Sequence, residues 1–158
     1  MKIFISQKMR GKTQKEIIKE RNAILNGYLL QGNPDAKIKK EVDEFKNKLL
    51  NEETFTQSVI KRVEVGDIVI DLLQSYKPEL KFKSPIYALS HSLAMLDEAD
   101  IVLVPKEAKE NVTIFTVKIL NWNSEFSLLR GCEFEFLIAK SYGKKVYTYD
   151  DNYTFVEV

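Results

Sequence analysis

The chain has 158 residues, 44 % of them hydrophobic and 30 % charged, with a formal net charge of +1. That length fits one domain burying roughly 70 % of its unfolded surface, and the near-neutral charge speaks against a generally polyanionic partner such as nucleic acid while leaving room for a local basic patch. One cysteine excludes an intramolecular disulfide and makes a zinc cluster implausible, no apolar run approaches the ~20 residues of a membrane span, and the N-terminus enters a strand directly rather than a signal peptide, so the expectation is a cytoplasmic domain with no metal, no cofactor and no membrane partner.

Lys2 to Ser6 reads as the first strand. The loop after it, Ser6 to Thr13, carries Lys8, Arg10, Gly11 and Lys12 between a strand and a helix. Helix-start N–H groups with cationic side chains make an anion site, which suits a 5′-phosphate; the plain alternative is a solvated basic turn. Gly11-Lys12-Thr13 imitates the end of a P-loop, but the earlier glycine of that motif falls at Ser6, which rules out an ATPase reading. Ile17, Ile24, Leu25 and Tyr28 mark the apolar face of the first helix.

Residues 33–66 read as an insertion, opened by Pro34-Asp35, with Ile38, Val42, Phe45 and Leu49 as a helical stripe. Its lysines alternate with Glu41, Asp43 and Glu44, a solvated helix face more than a nucleic-acid footprint. The stripe could cap the cleft or face another subunit. Asp67 to Leu72 reads as the second strand and Ile101 to Val104 as the third. Between them Ile86, Leu89, Leu93 and Leu96 mark a helix face. Asp100, opening the third strand away from the ligand side, reads as structural.

Residues 106–128 read as a second insertion, with Val112 to Leu120 as an extra strand presenting Thr113, Phe115, Val117 and Ile119 on one face. Trp122, with Phe126, either stacks on a base, worth ~1–3 kcal/mol, or packs that extra strand against the core. Arg130 to Lys140 reads as a helix entered from a loop, with Phe134, Leu137 and Ile138 as its apolar face, stopped at Gly143. Val146 to Tyr149 is the fourth strand.

Strands and helices alternate, and most strands are apolar without alternation. This predicts an α/β fold over residues 1–158: a doubly wound, mostly parallel sheet, a flavodoxin- or Rossmann-like three-layer sandwich. Ligands of such sheets bind beyond the carboxyl ends of the strands. The loops after Ser6 and Val104 and the start of the last helix should therefore meet in one cleft. Glu135 stands in the first turns of that helix, where the dipole favours an ionised carboxylate. It is a candidate nucleophile; the alternative is a helix-capping charge paired with Arg10 or Arg130. Cys132, at the same helix start beside Arg130, reads as packing although that setting lowers a thiol pKa.

Three segments carry a family resemblance: Ile3-Phe4-Ile5-Ser6-Gln7-Lys8-Met9-Arg10-Gly11-Lys12-Thr13, Ser92 to Leu103, and Gly131-Cys132-Glu133-Phe134-Glu135. The last resembles the Gly-Thr-x-x-Glu helix start of nucleoside 2-deoxyribosyltransferases and nucleotide N-glycoside hydrolases. The whole is most similar to a phage and bacterial branch of that superfamily. The resemblance implies cleavage of an N-glycosidic bond in a nucleotide or nucleoside, with Glu135 attacking the anomeric carbon. Ser6, Gln7, Lys8, Met9, Arg10, Gly11, Ser92, Trp122, Arg130 and Gly131 would line the substrate: Arg10, Lys8 and Gly11 on phosphate or ribose, Met9 and Trp122 on the base. It also implies a homo-oligomer. The family's two helper acids are replaced here by Ser92 and Leu129. Glu133, His91 and Tyr87 are candidate substitutes, and a base that leaves easily would need none. The basic loop favours a phosphorylated ligand, hence hydrolysis over transfer. The missing acids favour a rival reading, a non-catalytic protein that binds or sequesters a nucleotide-type metabolite.

Overall fold

The computed structural model describes residues 1–32, 61–65, 68–73, 85–120 and 131–158. Six strands form one mixed sheet in the order β2-β3-β1-β4-β5-β6: β1 (Lys2–Ile5), β2 (Arg62–Val65), β3 (Ile68–Leu73), β4 (Ile101–Pro105), β5 (Lys145–Tyr149) and β6 (Phe155–Glu157). The inner pairs β1–β3, β1–β4 and β4–β5 are parallel, while β2–β3 and β5–β6 are antiparallel. The expected mostly parallel sheet is thus an α/β sheet with antiparallel pairs on both outer sides. Four helices are described: α1 (Gln14–Gly32), α2 (Pro85–Asp97), α3 (Lys106–Leu120) and α4 (Gly131–Ser141).

Successive side chains of a strand point to opposite faces, and β1 shows what each face meets. Ile3 and Ile5 join Ile24, Leu25 and Leu29 of α1 in one core. Phe4 joins Leu96 of α2, Ala108 and Val112 of α3, and Cys132, Phe136 and Ala139 of α4 in another. Helix α1 therefore covers one face of the sheet, and the other three helices cover the opposite one.

Local chemistry sets the boundaries. Thr13 and Glu16 form a capping box at the start of α1: the Glu16 carboxylate accepts the Thr13 N–H at 2.7 Å, and Thr13 Oγ1 accepts the Glu16 N–H at 3.3 Å. Helix α4 ends with Gly143 at φ +69°, while the Lys144 N–H reaches back to the Ala139 carbonyl at 2.9 Å. Only glycine takes that left-handed position cheaply.

Three expectations are corrected. Val112–Leu120 is not an extra strand but part of α3, because Ala108 and Val112, one helical turn apart, both enter the core. Ile86, expected on the buried face of α2, is 80 % exposed. In α4 the expected apolar face is largely turned outward: Phe134 and Leu137 are exposed, while Glu133 and Glu135 are buried beside Cys132, Phe136 and Ala139. The Ile38 to Leu49 stripe lies outside the described residues. No helix among the described residues is long and apolar enough to cross a membrane.

Candidate functional site

A helix that exposes Phe and Leu while burying two carboxylates runs against the hydrophobic effect, and what surrounds those carboxylates explains it. Glu135 is 7 % exposed. Its Oε2 accepts the Ser6 hydroxyl and its Oε1 accepts the Ser92 hydroxyl. Both serines are themselves buried. Glu133, in contrast, turns toward α3 and accepts the Asn111 side-chain N–H at 2.8 Å.

Ser6 is fixed from several sides. It directly follows β1; its N–H donates to the Leu103 carbonyl at 2.8 Å, and its own carbonyl accepts the Tyr149 hydroxyl at 2.8 Å. Three neighbouring strands, β1, β4 and β5, thus converge on one residue at their carboxyl ends. Ser92 lies one turn before the buried Leu96 on α2, so docking of that helix carries its hydroxyl inward.

Burial pushes the Glu135 carboxyl upward, and the hydrogen bonds from Ser6 and Ser92 and the charge of Arg21 oppose it. The helix-start dipole expected to keep Glu135 ionised is therefore outweighed by loss of water. Of its expected partners, Arg10 is exposed and Arg130 lies outside the described residues; among the described residues the cation that acts on Glu135 is Arg21 of α1. Burial likewise drives the Cys132 thiol up to about 12, in keeping with a packing role.

The basic loop is shaped by a turn. The Lys12 N–H bonds the Met9 carbonyl at 3.2 Å, and Gly11 sits at φ +81° with no heavy atom within 4 Å of an added Cβ. Positive φ at the third position is the mark of a type II turn. Within this loop Lys8 pairs with Glu107 of α3, and Lys12 pairs with Glu20 at 2.6 Å. Gln7 is buried and donates to Glu20 at 2.7 Å and to the Ile17 carbonyl at 2.9 Å. Arg10 has no hydrogen-bonded partner among the described residues, which leaves its guanidinium the loop's open cation. Met9 is half-buried.

Of the residues expected at the site, Ser6, Ser92 and Glu135 are in direct contact. Lys8, Met9, Arg10 and Gly11 follow Ser6 in the loop at the same sheet edge, and Gly131 is the exposed first residue of the helix carrying Glu135. Trp122 and Arg130 lie outside the described residues. Of the substitute acids, Glu133 is held by Asn111, His91 is half-buried and Tyr87 is exposed. Arg21 and Tyr149 were not legible as site residues: one sits among helix-forming residues, the other in an ordinary strand. A cleft of about 210 Å³ lies elsewhere, between Lys106 and Lys109 of α3 and Thr148, Asp150 and Val156 of the β5–β6 hairpin. Its lysines are exposed, and neither Ser6 nor Glu135 lines it, so the chemistry points to the buried cluster instead. Comparison of the chain with protein-family models, curated proteins and solved structures finds no match.

Proposed function

We propose that this protein cleaves the N-glycosidic bond of a nucleotide or nucleoside, with Glu135 as nucleophile. The observation that carries the reading is the buried Glu135 carboxylate, gripped by Ser6 and Ser92 just beyond the carboxyl end of β1. Burying a carboxylate costs stability, and two donors placed to hold it in one orientation are what a nucleophile needs. One Glu135 oxygen attacks the anomeric carbon as the bond to the base nitrogen breaks, and the electron pair leaves with the base. Water then hydrolyses the glycosyl ester, giving the free sugar and restoring the carboxylate. Ser92 stands where the resembled family has an acid, so the base must leave with little help. A nicotinamide or an activated pyrimidine fits that demand. Arg10 binds a phosphate, which favours hydrolysis of a nucleotide.

This reading includes a doubly wound, flavodoxin- or Rossmann-like arrangement of the parallel core of the sheet, a homo-oligomer and a cytoplasmic setting. A second reading is favoured by the same contacts: both Glu135 oxygens are already occupied by hydroxyls, and no second carboxylate among the described residues bonds to them. In that case the protein binds a nucleotide-type metabolite without cleaving it. Incubation with a panel of nucleotides and dinucleotides, followed by chromatography, separates the two. Free base formed by the wild type and absent with Glu135→Gln supports cleavage; saturable binding with no free base supports the binder.

A further inference from the structure

Three charged side chains are almost wholly buried among the described residues: Arg21, Glu133 and Glu135, at 2 %, 3 % and 7 % exposure. Asn111 accounts for Glu133. The other two come from opposite faces of the sheet, Arg21 from α1 and Glu135 from α4, and reach consecutive residues of β1's end. Arg21 Nη1 donates to the Ile5 carbonyl at 3.4 Å and Nη2 to the Leu73 carbonyl of β3 at 2.8 Å, while Glu135 holds Ser6. Carbonyls orient a guanidinium but do not balance its charge. The Arg21 Nε–H has no partner among the described residues. Among the described residues Arg21 bonds no carboxylate and Glu135 bonds no cation, and two opposite buried charges anchored on consecutive residues attract each other through space.

We propose that Arg21 is a positioning residue: a fixed cation, delivered across the sheet edge by α1, that keeps Glu135 in its carboxylate form for the reaction inferred above. The inference rests on that functional reading for its purpose, but not for its test. The groups that act on Glu135 are Ser6 after β1, Arg21 on α1, Ser92 on α2, and Cys132 and Glu133 on α4; around these, Lys8 acts on Cys132, and Tyr149 of β5 acts on Arg21. Burial and Glu133 push the Glu135 carboxyl up; Ser6, Ser92 and Arg21 push it down, and of these only Arg21 is charged. Arginine suits the place. Burial pulls it down only to about 10, so it stays protonated at neutral pH. A lysine begins lower and loses its proton more readily when buried.

The test is a carboxyl NMR titration of Glu135, its signal assigned by its loss in Glu135→Gln, in the wild type, Arg21→Lys and Arg21→Met. An opposite charge at close range lowers a carboxyl pKa by about 1–3 units, so the midpoint should rise by that much in Arg21→Met, and the acid limb of base release should move with it. A midpoint within a few tenths of a unit of the wild type overturns the inference. A moved midpoint in a protein without turnover upholds it and removes the glycosidase reading alone. Should Arg21→Met fold poorly, its pairing with Glu135→Gln keeps the question open to measurement. Glu135→Gln should stabilise the Arg21→Met protein at pH 8 by more than it stabilises the wild type, and an equal gain in both backgrounds overturns the pair.

Discussion

Ser92 of α2 and Glu135 of α4 meet inside the contact between their helices, the serine hydroxyl donating to Glu135 Oε1. The resembled family has an acid in the place of Ser92. On the proposed reading a hydroxyl there cannot protonate a leaving base strongly, but it can hold the neighbouring carboxylate.

Removing that hydroxyl leaves the buried carboxylate one donor short. Ser92→Ala should cost ~1.5–3 kcal/mol of stability at a pH where Glu135 is ionised, the range for hydrogen bonds to charged groups. The cost should shrink as Glu135 takes up a proton. The pH at which base release falls off on the acid side should rise. Urea denaturation at two pH values and a pH–rate profile read both effects; equal loss at acid and neutral pH would mean that Ser92 only packs.

Glu135 itself links the site to stability. Its carboxyl is raised above the ordinary value near 4.5, chiefly by burial. Between that value and the raised one, the folded protein keeps a proton that the unfolded chain has released. Stability therefore falls as pH climbs through this window, and the penalty is fully present above it. Glu135→Gln removes the titration. The variant should be flatter in stability over the window and more stable than the wild type at neutral pH. It should release no base, because an amide is no nucleophile, yet bind ligand within a few-fold of the wild type. Calorimetry beside a base-release assay checks this, and surviving release would move the nucleophile to Glu133 or His91.

Two cations of the basic loop are tied within the fold and one is exposed. Lys8 is tied to Glu107 and Lys12 to Glu20, whereas Arg10 stands in solvent. Arg10→Ala should weaken a nucleotide roughly ten- to hundredfold, from the ~1.5–3 kcal/mol of a charge-assisted bond, and leave its nucleoside unchanged. Glu107→Gln should free Lys8 and tighten the nucleotide, with little change in stability, since exposed pairs contribute ~0–1 kcal/mol. Titration of matched nucleotide and nucleoside decides; equal weakening of both by Arg10→Ala would assign the arginine to ribose or to the turn.

The parts of the fold that were legible in the sequence are those where local pattern and tertiary burial agree. Ile3-Phe4-Ile5 and Ile101 to Val104 are apolar runs, and they are inner strands covered on both faces. Gly143 reads as a helix stop and is one. Pattern and packing part company at residues 112–120, where alternating β-branched and aromatic residues suggest a strand, but docking of Ala108 and Val112 makes a helix. Strand β6 is only Phe155–Glu157, too short for any period to register. In α4 the apolar stripe points to the wrong face because the buried face is set by Glu135 and its donors. Glu135, Ser6 and Ser92 were visible as candidates through the resemblance. Arg21 was not, since a lone arginine in a helix looks like solvent-facing surface until its carbonyl partners are known.

Two glycines test the fold and the site separately. Gly27 faces the β5–β6 turn, where an added Cβ would lie 2.7 Å from Tyr153 Cβ and 3.1 Å from the Tyr153 carbonyl oxygen. That turn has little freedom to retreat: Tyr153 holds φ 56°, and Asp150 Oδ1 accepts the N–H groups of Asn152 and Thr154 at 2.9 Å each. Gly27→Ala gains up to ~1 kcal/mol of helix propensity. Overpacking against a fixed turn costs about 1–3 kcal/mol, so the net change should be destabilising. At this length each kcal/mol lowers Tm by about 2–4 °C. Gly131 is the contrast, with no heavy atom within 4 Å of an added Cβ and a place at the exposed start of α4. Gly131→Ala should leave Tm unchanged or slightly raised. If its backbone lies against the ligand beside Glu135, the new methyl should instead weaken nucleotide binding. Thermal melts of both variants, with ligand titration of Gly131→Ala, read the two effects apart. Unchanged affinity in Gly131→Ala would take Gly131 out of the substrate surface and confine the site to Glu135 and the Ser6 loop.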